Sequence, residues 1–283
     1  MNNSTIIHNW SNNTIMNCIR VTYKTLLFFS TILFSVLISI CLRILSLPVP
    51  NLYYRLNTKY VIRLSAKLLL IIFGVKIKVK GKLLQTPTIL VSNHWGYLDS
   101  LLLMSLSPCM LISTTDVKNM PVVGIIMGMM GFTFVDRENP RSIPTVIEKA
   151  SEFAVNTNTN IAFFPEGGTN NGKQLESFHS SFFKLVNKTR YSLQPLFIQV
   201  KSINNEKCSS NNLETVVFHG HDESVITHII KMFRNKSIRI VIEVLDSLNS
   251  DKIVKENLKR KYLCDYTEKH INDSFNYYHK GVK

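Results

Sequence analysis

The sequence predicts an α/β fold class, in which a mixed sheet is flanked by helices and an N-terminal helical segment is embedded in a membrane. Three observations support this class. From residue 75 to about residue 250, short apolar runs typical of strands alternate with segments of helical periodicity. Near the N-terminus, Thr25 to Leu42 form an apolar run of 18 residues without a charge. The composition is 45% hydrophobic and the net charge is +14, so a surface that is both apolar and anionic is the expected partner.

These patterns divide the chain into four parts. Residues 1–19 are rich in Asn and Ser and are predicted to be a flexible tail. Residues 20–74 are expected to form membrane-anchoring helices, and residues 75–250 a single α/β domain. Residues 251–283 are predicted to form a basic C-terminal helix or tail, which is either solvated or docks on a membrane or an acidic carrier protein.

The N-terminal apolar run is long enough to cross a membrane, because 18 helical residues span roughly 27 Å. The next apolar segment, Tyr60 to Val75, has Lys59, Arg63 and Lys67 on one helical face. This spacing predicts an interfacial helix with its basic side toward lipid phosphates, and a buried helix is the alternative. The first segment either spans the membrane or re-enters the same leaflet. In both cases the domain is expected on the cytosolic face.

Nucleic acid is the rival partner for so basic a chain. Most lysines lie beside the membrane-like segments rather than interleaved with aromatic residues, so we expect no nucleic acid. The five cysteines are scattered without C-x-x-C spacing, which indicates neither a disulfide framework nor a zinc site and favours a reducing, cytosolic environment. His219, His221 and Asp222 provide at most half of a metal site, and we expect no metal.

The first half of the domain is predicted to contain three strands and two helices. Val75 to Lys82 alternate lysines with apolar residues, which is typical of an exposed strand. The other strands are Thr88 to Ser92 and Met110 to Thr114, and the helices are Asp99 to Leu106 and Val117 to Met130. The second helix is rich in Met and Gly, so it forms either core or one wall of a groove for a flexible apolar chain.

The second half is predicted to alternate strands and helices in the same way. The predicted strands are residues 131–137, Ile161 to Phe164, Gln194 to Val200, Thr215 to Phe218 and Ile238 to Leu245, and the helices are Arg141 to Ala154 and Glu223 to Phe233.

The stretch that most strongly suggests chemistry follows the strand ending at Ser92. His94 and Asp99 are five residues apart, and a histidine oriented by a buried carboxylate can remove a proton from a hydroxyl. In one continuous helix this spacing would separate the two side chains by about 140° around the axis. We therefore expect His94 to lie on the turn that enters the helix, with Gly96 permitting the turn and Ser92 or Asn93 capping the helix.

Two later stretches suggest anion binding. Arg137 ends a short strand, and its planar guanidinium suits a phosphate, although a local ion pair with Asp136 is the alternative. Glu166, Gly167 and Gly168 open a glycine-rich loop after an apolar strand, an arrangement that brings backbone N–H groups close to an anion.

Together these stretches resemble the glycerolipid acyltransferases of the 1-acylglycerol-3-phosphate acyltransferase type, a family of lysophospholipid acyltransferases. That family shows four blocks in the order N-H-x4-D, G-x-x-F-x-D-R, F-P-E-G and a strand bearing a proline. The resemblance covers about residues 75–245, and the chain carries the blocks as Asn93-His94 with Asp99, Gly131 with Phe134 and Asp136-Arg137, Phe164-Pro165-Glu166-Gly167, and Pro195.

The resemblance implies a membrane enzyme that transfers a fatty acyl group from acyl-CoA or acyl carrier protein to a lysophospholipid hydroxyl, first of all that of 1-acylglycerol-3-phosphate. It implies no cofactor and no metal. His94, oriented by Asp99, would be the general base, Arg137 would bind the acceptor's phosphate, and Glu166 would shape that pocket. N–H groups near His94 or in the Gly167-Gly168 loop would stabilise the tetrahedral oxyanion.

One departure from the family's pattern leaves the acceptor open. The third block commonly reads F-P-E-G-T-R-S, whereas Gly168, Thr169 and Asn170 follow Gly167 here, so the arginine is missing. The longer run resembles the branch with lyso-ornithine-lipid and lysophosphatidyl-choline or -ethanolamine acyltransferases. A catalytically idle lipid-binding protein is a further alternative, which the intact His94 and Asp99 disfavour.

Overall fold

The computed structural model describes residues 3–120, 123–218 and 223–280. Its strands are β1 (Val75–Lys80), β2 (Thr88–Ser92), β3 (Cys109–Thr114), β4 (Thr133–Val135), β5 (Asn160–Phe163), β6 (Ser192–Ile203), β7 (Glu206–Lys207) and β8 (Ile238–Val244). Its α-helices are α1 (Asn3–Leu45), α2 (Pro50–Leu56), α3 (Arg63–Phe73), α4 (Tyr97–Leu106), α5 (Thr115–Lys118), α6 (Val123–Met129), α7 (Ile143–Thr157), α8 (Lys184–Thr189), α9 (Ser210–Leu213), α10 (Val225–Phe233), α11 (Ser250–Lys255) and α12 (Arg260–Lys280). A π-helical segment, Asn57–Ile62, joins α2 to α3, and short 3-10 turns lie at Pro140–Ser142 and Ser181–Phe183.

A mixed sheet forms the centre of the protein, in the order β1-β8-β6-β2-β5-β3-β4, with β7 paired to the end of β6. β2 lies between β5 and β6 and is parallel to both, whereas β6 and β8 are antiparallel. All the residues of β2 are buried, as expected for a central parallel strand whose sequence is a continuous apolar run. The mixed sheet flanked by helices, predicted from the sequence, is confirmed.

The parallel strands bring the predicted site residues to one edge of the sheet. β2, β5, β3 and β4 all run in the same direction, so their carboxyl ends meet there. The N-H-x4-D stretch follows β2, the glycine-rich loop follows β5, and Arg137 follows β4. In open α/β sheets this edge is where ligands bind.

Two predicted elements are wrong. The helix predicted at Val117 to Met130 is two short helices, α5 and α6, and the sequence places Pro121, a helix breaker, between them. The strand predicted at Thr215 to Phe218 is irregular, although Val216 and Val217 are buried. Its apolar residues cover the core without joining the sheet, and a short apolar run by itself does not distinguish these two arrangements.

Helix α1 packs one side on the rest of the protein through several polar contacts. It begins at Asn3, so residues 3–19 form the first turns of this helix and are not the flexible tail that the sequence predicted. Lys24 Nζ donates to the carbonyl oxygen of Asn235 at 2.8 Å, and Ser39 Oγ donates to Asn57 Oδ1 at 2.8 Å. Between them, Phe28 packs against aromatic rings of α3 and α10.

The other side of α1 is apolar and exposed. Within the described residues, Thr14–Leu45 is the one helical stretch long and apolar enough to cross a membrane, and only 11% of its most apolar 18-residue window is buried. Outward-facing side chains include Leu26, Phe29, Leu33, Phe34, Leu37 and Ile44. The apolar N-terminal helix predicted from the sequence is therefore present, with a surface that suits lipid.

The basic face predicted on residues 59–67 is only partly available. Lys59 and Lys67 are exposed. Arg63 instead donates to the carbonyl oxygens of Ser105 and Leu106 at 3.2 and 3.0 Å, where the carboxyl end of α4 favours a cation. The prediction that Arg63 faces lipid phosphates is wrong.

The C-terminal helix α12 belongs to the folded domain. Leu263 and Ile271 are fully buried, and Tyr278 stacks on Phe197 of β6 with ring centroids 5.7 Å apart. The predicted helix is present, but the alternative in which it is only solvated is wrong, because its apolar face covers the end of β6.

Candidate active site

The turn between β2 and α4 is organised by the carboxylate of Asp99. Asp99 is 4% exposed, and its Oδ2 atom accepts the backbone N–H groups of Trp95 at 2.6 Å and Gly96 at 2.9 Å. The same oxygen lies 3.0 Å from His94 Nδ1. Asp99 sits in the first turn of α4 and reaches back to cap it, where a negative charge is stabilised by the helix dipole. The predicted cap at Ser92 or Asn93 is wrong, since the helix is entered at Gly96.

The contact with Asp99 fixes the tautomer of His94. A carboxylate oxygen only accepts hydrogen bonds, so the neutral imidazole carries its proton on Nδ1 and leaves the lone pair on Nε2 free. The ring stacks on Phe164, with centroids 3.8 Å apart and planes 7° apart. The His94 side chain is 18% exposed, so a substrate can reach it. The structure thus brings together the two residues that the spacing singled out.

Asn93 anchors this turn to the neighbouring strand. Its side chain is fully buried, accepts the backbone N–H of Ile198 at 2.8 Å and donates to the carbonyl oxygen of Ile198 at 3.0 Å. The amide therefore continues the β2–β6 pairing past the end of β2. In the sequence, the only sign of this anchoring role is that Asn93 opens the N-H-x4-D block.

A second buried carboxylate, Glu166, ties the glycine-rich loop to the same turn. Its Oε1 accepts the backbone N–H of His94 at 2.7 Å, and its Oε2 accepts Asn170 Nδ2 at 2.8 Å and the backbone N–H of Glu176 at 3.0 Å. Burial raises the pKa of Glu166 to about 7, and the N–H groups of Glu176 and His94 offset this only in part. Both oxygens face protein groups, so Glu166 shapes the site from within.

The two glycines predicted to line the site differ in what they can do. Gly167 has φ +71°, and a Cβ there would lie 3.2 Å from Cδ2 of His179, so the position requires glycine. Its N–H donates to the carbonyl oxygen of Phe164 at 3.3 Å and is not free. Gly168 has open space around it, and its N–H has no hydrogen-bond partner within the described ranges.

Arg137 lies at the same edge of the sheet but not against His94. β4 is three strand positions from β2, which corresponds to about 14 Å across the edge. Arg137 is exposed and forms no ion pair with Asp136, both being described residues. Asp136 Oδ1 instead accepts the backbone N–H of Glu138 at 3.0 Å. The local ion pair, left open by the sequence, is therefore absent.

The structure adds neighbours that the sequence analysis missed. The backbone N–H of Phe218 donates to the carbonyl oxygen of Trp95 at 2.9 Å, so the segment mistaken for a strand lies over the turn. The hydroxyl of Tyr97 is 2.9 Å from Nδ1 of His228, whose pKa is lowered by burial. The possible half metal site at residues 219–222 falls outside the described residues.

Comparisons with known proteins agree with this architecture. The family model described as Acyltransferase matches residues 76–199. The chain is 24% identical over 213 residues to a lyso-ornithine lipid O-acyltransferase of Pseudomonas aeruginosa, covering 75% of this chain and 77% of that protein. It is 30% identical over 142 residues to the chloroplastic 1-acyl-sn-glycerol-3-phosphate acyltransferase LPAT1 of Arabidopsis thaliana, covering 50% of this chain but only 38% of that longer protein.

A solved structure shares the fold over almost the whole chain. The 1-acyl-sn-glycerophosphate (LPA) acyltransferase PlsC from Thermotoga maritima superposes with a TM-score of 0.59 at 15% identity, covering 92% of this chain and 97% of the other. The matched family model identifies an acyltransferase, and the solved structure shows the fold. Over this domain the chain is similar to 1-acylglycerol-3-phosphate acyltransferases and to lyso-ornithine lipid acyltransferases.

The variant Glu166→Gln tests the pKa of the buried carboxyl group. A carboxyl whose pKa is raised on folding stabilises the fold fully below its unfolded pKa, near 4.5, and this contribution is lost as the pH rises through about 7. We expect the free energy of unfolding of the wild type, relative to Glu166→Gln, to fall by up to about 3 kcal/mol across this range. Denaturant unfolding at several pH values measures it.

The matched control is Glu152→Gln, because Glu152 is exposed on α7 and its charge is not among those that shift the pKa of Glu166. The difference between the wild type and this control should stay nearly constant with pH. A constant difference for Glu166→Gln as well would contradict the raised pKa.

Proposed function

We propose that the protein transfers a fatty acyl group from acyl-CoA or acyl carrier protein to the free hydroxyl of a lysolipid, with 1-acylglycerol-3-phosphate as the first acceptor and phosphatidic acid as the product. The observation that carries this proposal is the contact of His94 Nδ1 with Asp99 Oδ2 at 3.0 Å, which leaves Nε2 available as a base. The acyltransferases to which the chain is similar support a lysophospholipid as acceptor.

The proposed reaction is a single displacement at the thioester carbonyl. His94 Nε2 takes the proton from the lysolipid hydroxyl while that oxygen attacks the carbonyl carbon. The new C–O bond forms, the tetrahedral intermediate collapses, and the C–S bond breaks. The imidazolium, stabilised by Asp99, then returns the proton to the departing thiolate. No covalent acyl-enzyme is required by this sequence of steps.

The oxyanion of the tetrahedral intermediate needs a hydrogen-bond donor that is not already used. In the catalytic turn the N–H groups of Trp95 and Gly96 bind Asp99, and the N–H of His94 binds Glu166. The N–H groups around His94, one of the two sources expected from the sequence, are therefore occupied. This leaves the N–H of Gly168 as the proposed oxyanion donor.

We propose Arg137 as the residue that binds the acceptor's phosphate. It is exposed at the same sheet edge as His94 and has no competing ion pair with Asp136. Its guanidinium would meet the phosphate through charge-assisted hydrogen bonds. The long arginine side chain would bridge part of the separation between β4 and the catalytic turn.

A lyso-ornithine lipid is the second candidate acceptor. The arginine common in the third block is missing, and Asn170 in that region donates to Glu166 at 2.8 Å. The lyso-ornithine lipid O-acyltransferase of Pseudomonas aeruginosa matches over 77% of its length, and it supports this alternative. Lysophosphatidylcholine and lysophosphatidylethanolamine are further candidate acceptors, to be compared in the same acyl-transfer assay.

We propose that the helical layer of α1 to α3 holds the catalytic unit, residues 75–250, on the cytosolic face of a membrane. The outward apolar side chains of α1 would contact the acyl region of membrane phospholipids. Lys59, in the π-helical segment, and Lys67, in α3, are exposed and would bind the lipid phosphates. Because the inner side of α1 packs on the domain, re-entry into one leaflet suits this layer better than a separate span.

His94→Ala tests the base. Membranes carrying the protein should release thiol from a long-chain acyl-CoA when a suitable lysolipid is added, and the variant should lower this rate by about 10²-fold to 10⁴-fold. His270→Ala is the control, because the ring of His270 is bonded within α12 to the carbonyl oxygen of Tyr266, and this variant should retain most of the activity. Wild-type turnover in His94→Ala would contradict the assignment of His94 as the general base. If no acceptor works with acyl-CoA or acyl carrier protein donors, the idle lipid-binding alternative is favoured.

Arg137→Ala tests the phosphate contact. We expect the KM for 1-acylglycerol-3-phosphate to rise about tenfold or more, with little change in the KM for the acyl donor, because a charge-assisted pair is lost on the acceptor alone. Steady-state kinetics with each substrate varied in turn measures both values. Arg141→Ala, another exposed arginine nearby, should change neither. An equal rise in the KM values for the acyl donor and for the acceptor would contradict the proposed role of Arg137.

A further inference from the structure

The indole N–H of Trp95 is a buried donor without a partner, one residue from the proposed base. Trp95 is 4% exposed, and within the described part of the chain its Nε1 atom has no hydrogen-bond acceptor. Leaving a buried N–H unpaired costs free energy, and such groups are uncommon in native structures. A group of this kind beside a reaction centre is expected to meet its acceptor when a ligand binds.

The surroundings of this indole connect it to the glycine-rich loop. The ring packs edge-on to Phe197, with centroids 6.5 Å apart. A Cβ on Gly172 would lie 3.4 Å from Trp95 Cδ2, so the loop backbone lies directly over the indole. Gly172 is held by Asn170, whose amide also binds Glu166. Because the indole is buried, a ligand can reach its N–H only if the packing around the ring adjusts.

A complementary acceptor lies on the same side of the sheet. Gln199 is two residues after Phe197 in β6, so both side chains project from the same face. Gln199 is 8% exposed, and its Oε1 atom is also buried without a partner within the described ranges. Trp95 and Gln199 therefore offer one unused donor and one unused acceptor, which we call the polar pair.

The chemistry of the polar pair selects an uncharged ligand group. Neither side chain is charged, whereas a buried phosphate needs charge-assisted donors. The indole N–H is also unsuited to the oxyanion, because an oxyanion donor must face the reacting carbon before the substrate arrives. Trp95 Nε1 is buried, and the backbone at Gly172 packs on the indole. A neutral carbonyl that binds as the loop adjusts fits the pair better.

We propose that Trp95 Nε1–H binds the carbonyl oxygen of the acyl linkage that the lysolipid acceptor already carries. This linkage lies a few bonds from the reacting hydroxyl, so a side chain next to His94 is suitably placed. Where the linkage is an amide, its N–H donates to Gln199 Oε1, whereas an ester uses only Trp95. The inference rests on the proposed function and narrows the acceptor class to lysolipids with an ester or amide linkage rather than an ether linkage.

The kinetic test compares acceptors that differ only in the linkage. The wild type should use 1-acylglycerol-3-phosphate with a kcat/KM about tenfold above that of its 1-alkyl ether analogue, the worth of one hydrogen bond. Trp95→Phe should abolish this preference by slowing the ester acceptor alone. Gln199→Met should slow only an amide-linked acceptor, N-(3-hydroxyacyl)ornithine. Equal slowing of ester and ether acceptors by Trp95→Phe would indicate a structural role only and overturn the proposal.

A binding test reads the indole directly, without turnover. The chain has two tryptophans, so Trp10→Phe leaves Trp95 as the single indole signal in a ¹⁵N-labelled sample in detergent micelles. Adding the ester lysolipid should move the indole proton resonance downfield, and the ether analogue should not. A ketone analogue of acyl-CoA, in which a CH₂ separates sulfur from carbonyl, probes the donor. A downfield shift with this analogue instead of the lysolipid would overturn the proposal.

The two tests separate failure of this inference from failure of the proposed function. If His94-dependent acylation occurs but ester and ether acceptors are equal in the wild type, the enzyme assignment stands and the Trp95 contact is wrong. If no lysolipid is acylated, the proposed function fails, while the indole resonance still reports whether Trp95 binds an acyl linkage.

Discussion

The structure of the site depends on one oxygen atom, Oδ2 of Asp99, which is within hydrogen-bond distance of three N–H groups at once. It accepts the backbone N–H groups of Trp95 and Gly96 and faces Nδ1 of His94, at 2.6, 2.9 and 3.0 Å. These bonds begin α4, close the turn after β2 and set the ring orientation of His94. A buried carboxylate is stable there because its charge is met by these donors and by the amino end of a helix.

The same interaction determines which groups remain for chemistry. Because Asp99 and Glu166 use the N–H groups of the turn, we propose the glycine-rich loop as the source of the oxyanion donor. Glu166 lies inside the protein as a bridge between that loop and His94, and burial, with the nearby charge of Asp99 as a lesser contribution, raises its pKa. The two acceptor contacts that we propose come from Arg137, after β4, and from Trp95, next to His94. The exposed apolar side of α1 is the surface that we propose holds this edge near lipid.

The sequence predicted local structure well where one pattern determined it. The bounds of β2 agree with its apolar run, and the five-residue spacing of His94 and Asp99 required the turn that is found. The resemblance implied that Glu166 shapes the pocket, but its contact with the N–H of His94 could not be predicted, because the two residues are 72 positions apart in the chain. Residues 215–218 have the composition of a strand, but they pack over the turn between β2 and α4, a tertiary contact that the local sequence does not reveal. The unpaired indole of Trp95 likewise appears only once the fold places it.

The most direct test of this account is the tautomer of His94, read from the ring nitrogen resonances of ¹⁵N-histidine protein at a pH where the ring is neutral. The signals of His94 are assigned by their absence from the His94→Asn spectrum. The account predicts a protonated Nδ1 and an unprotonated Nε2, since Asp99 can only accept. A His94 ring protonated on Nε2 would have no lone pair directed at the substrate, and the proposed general base would be contradicted.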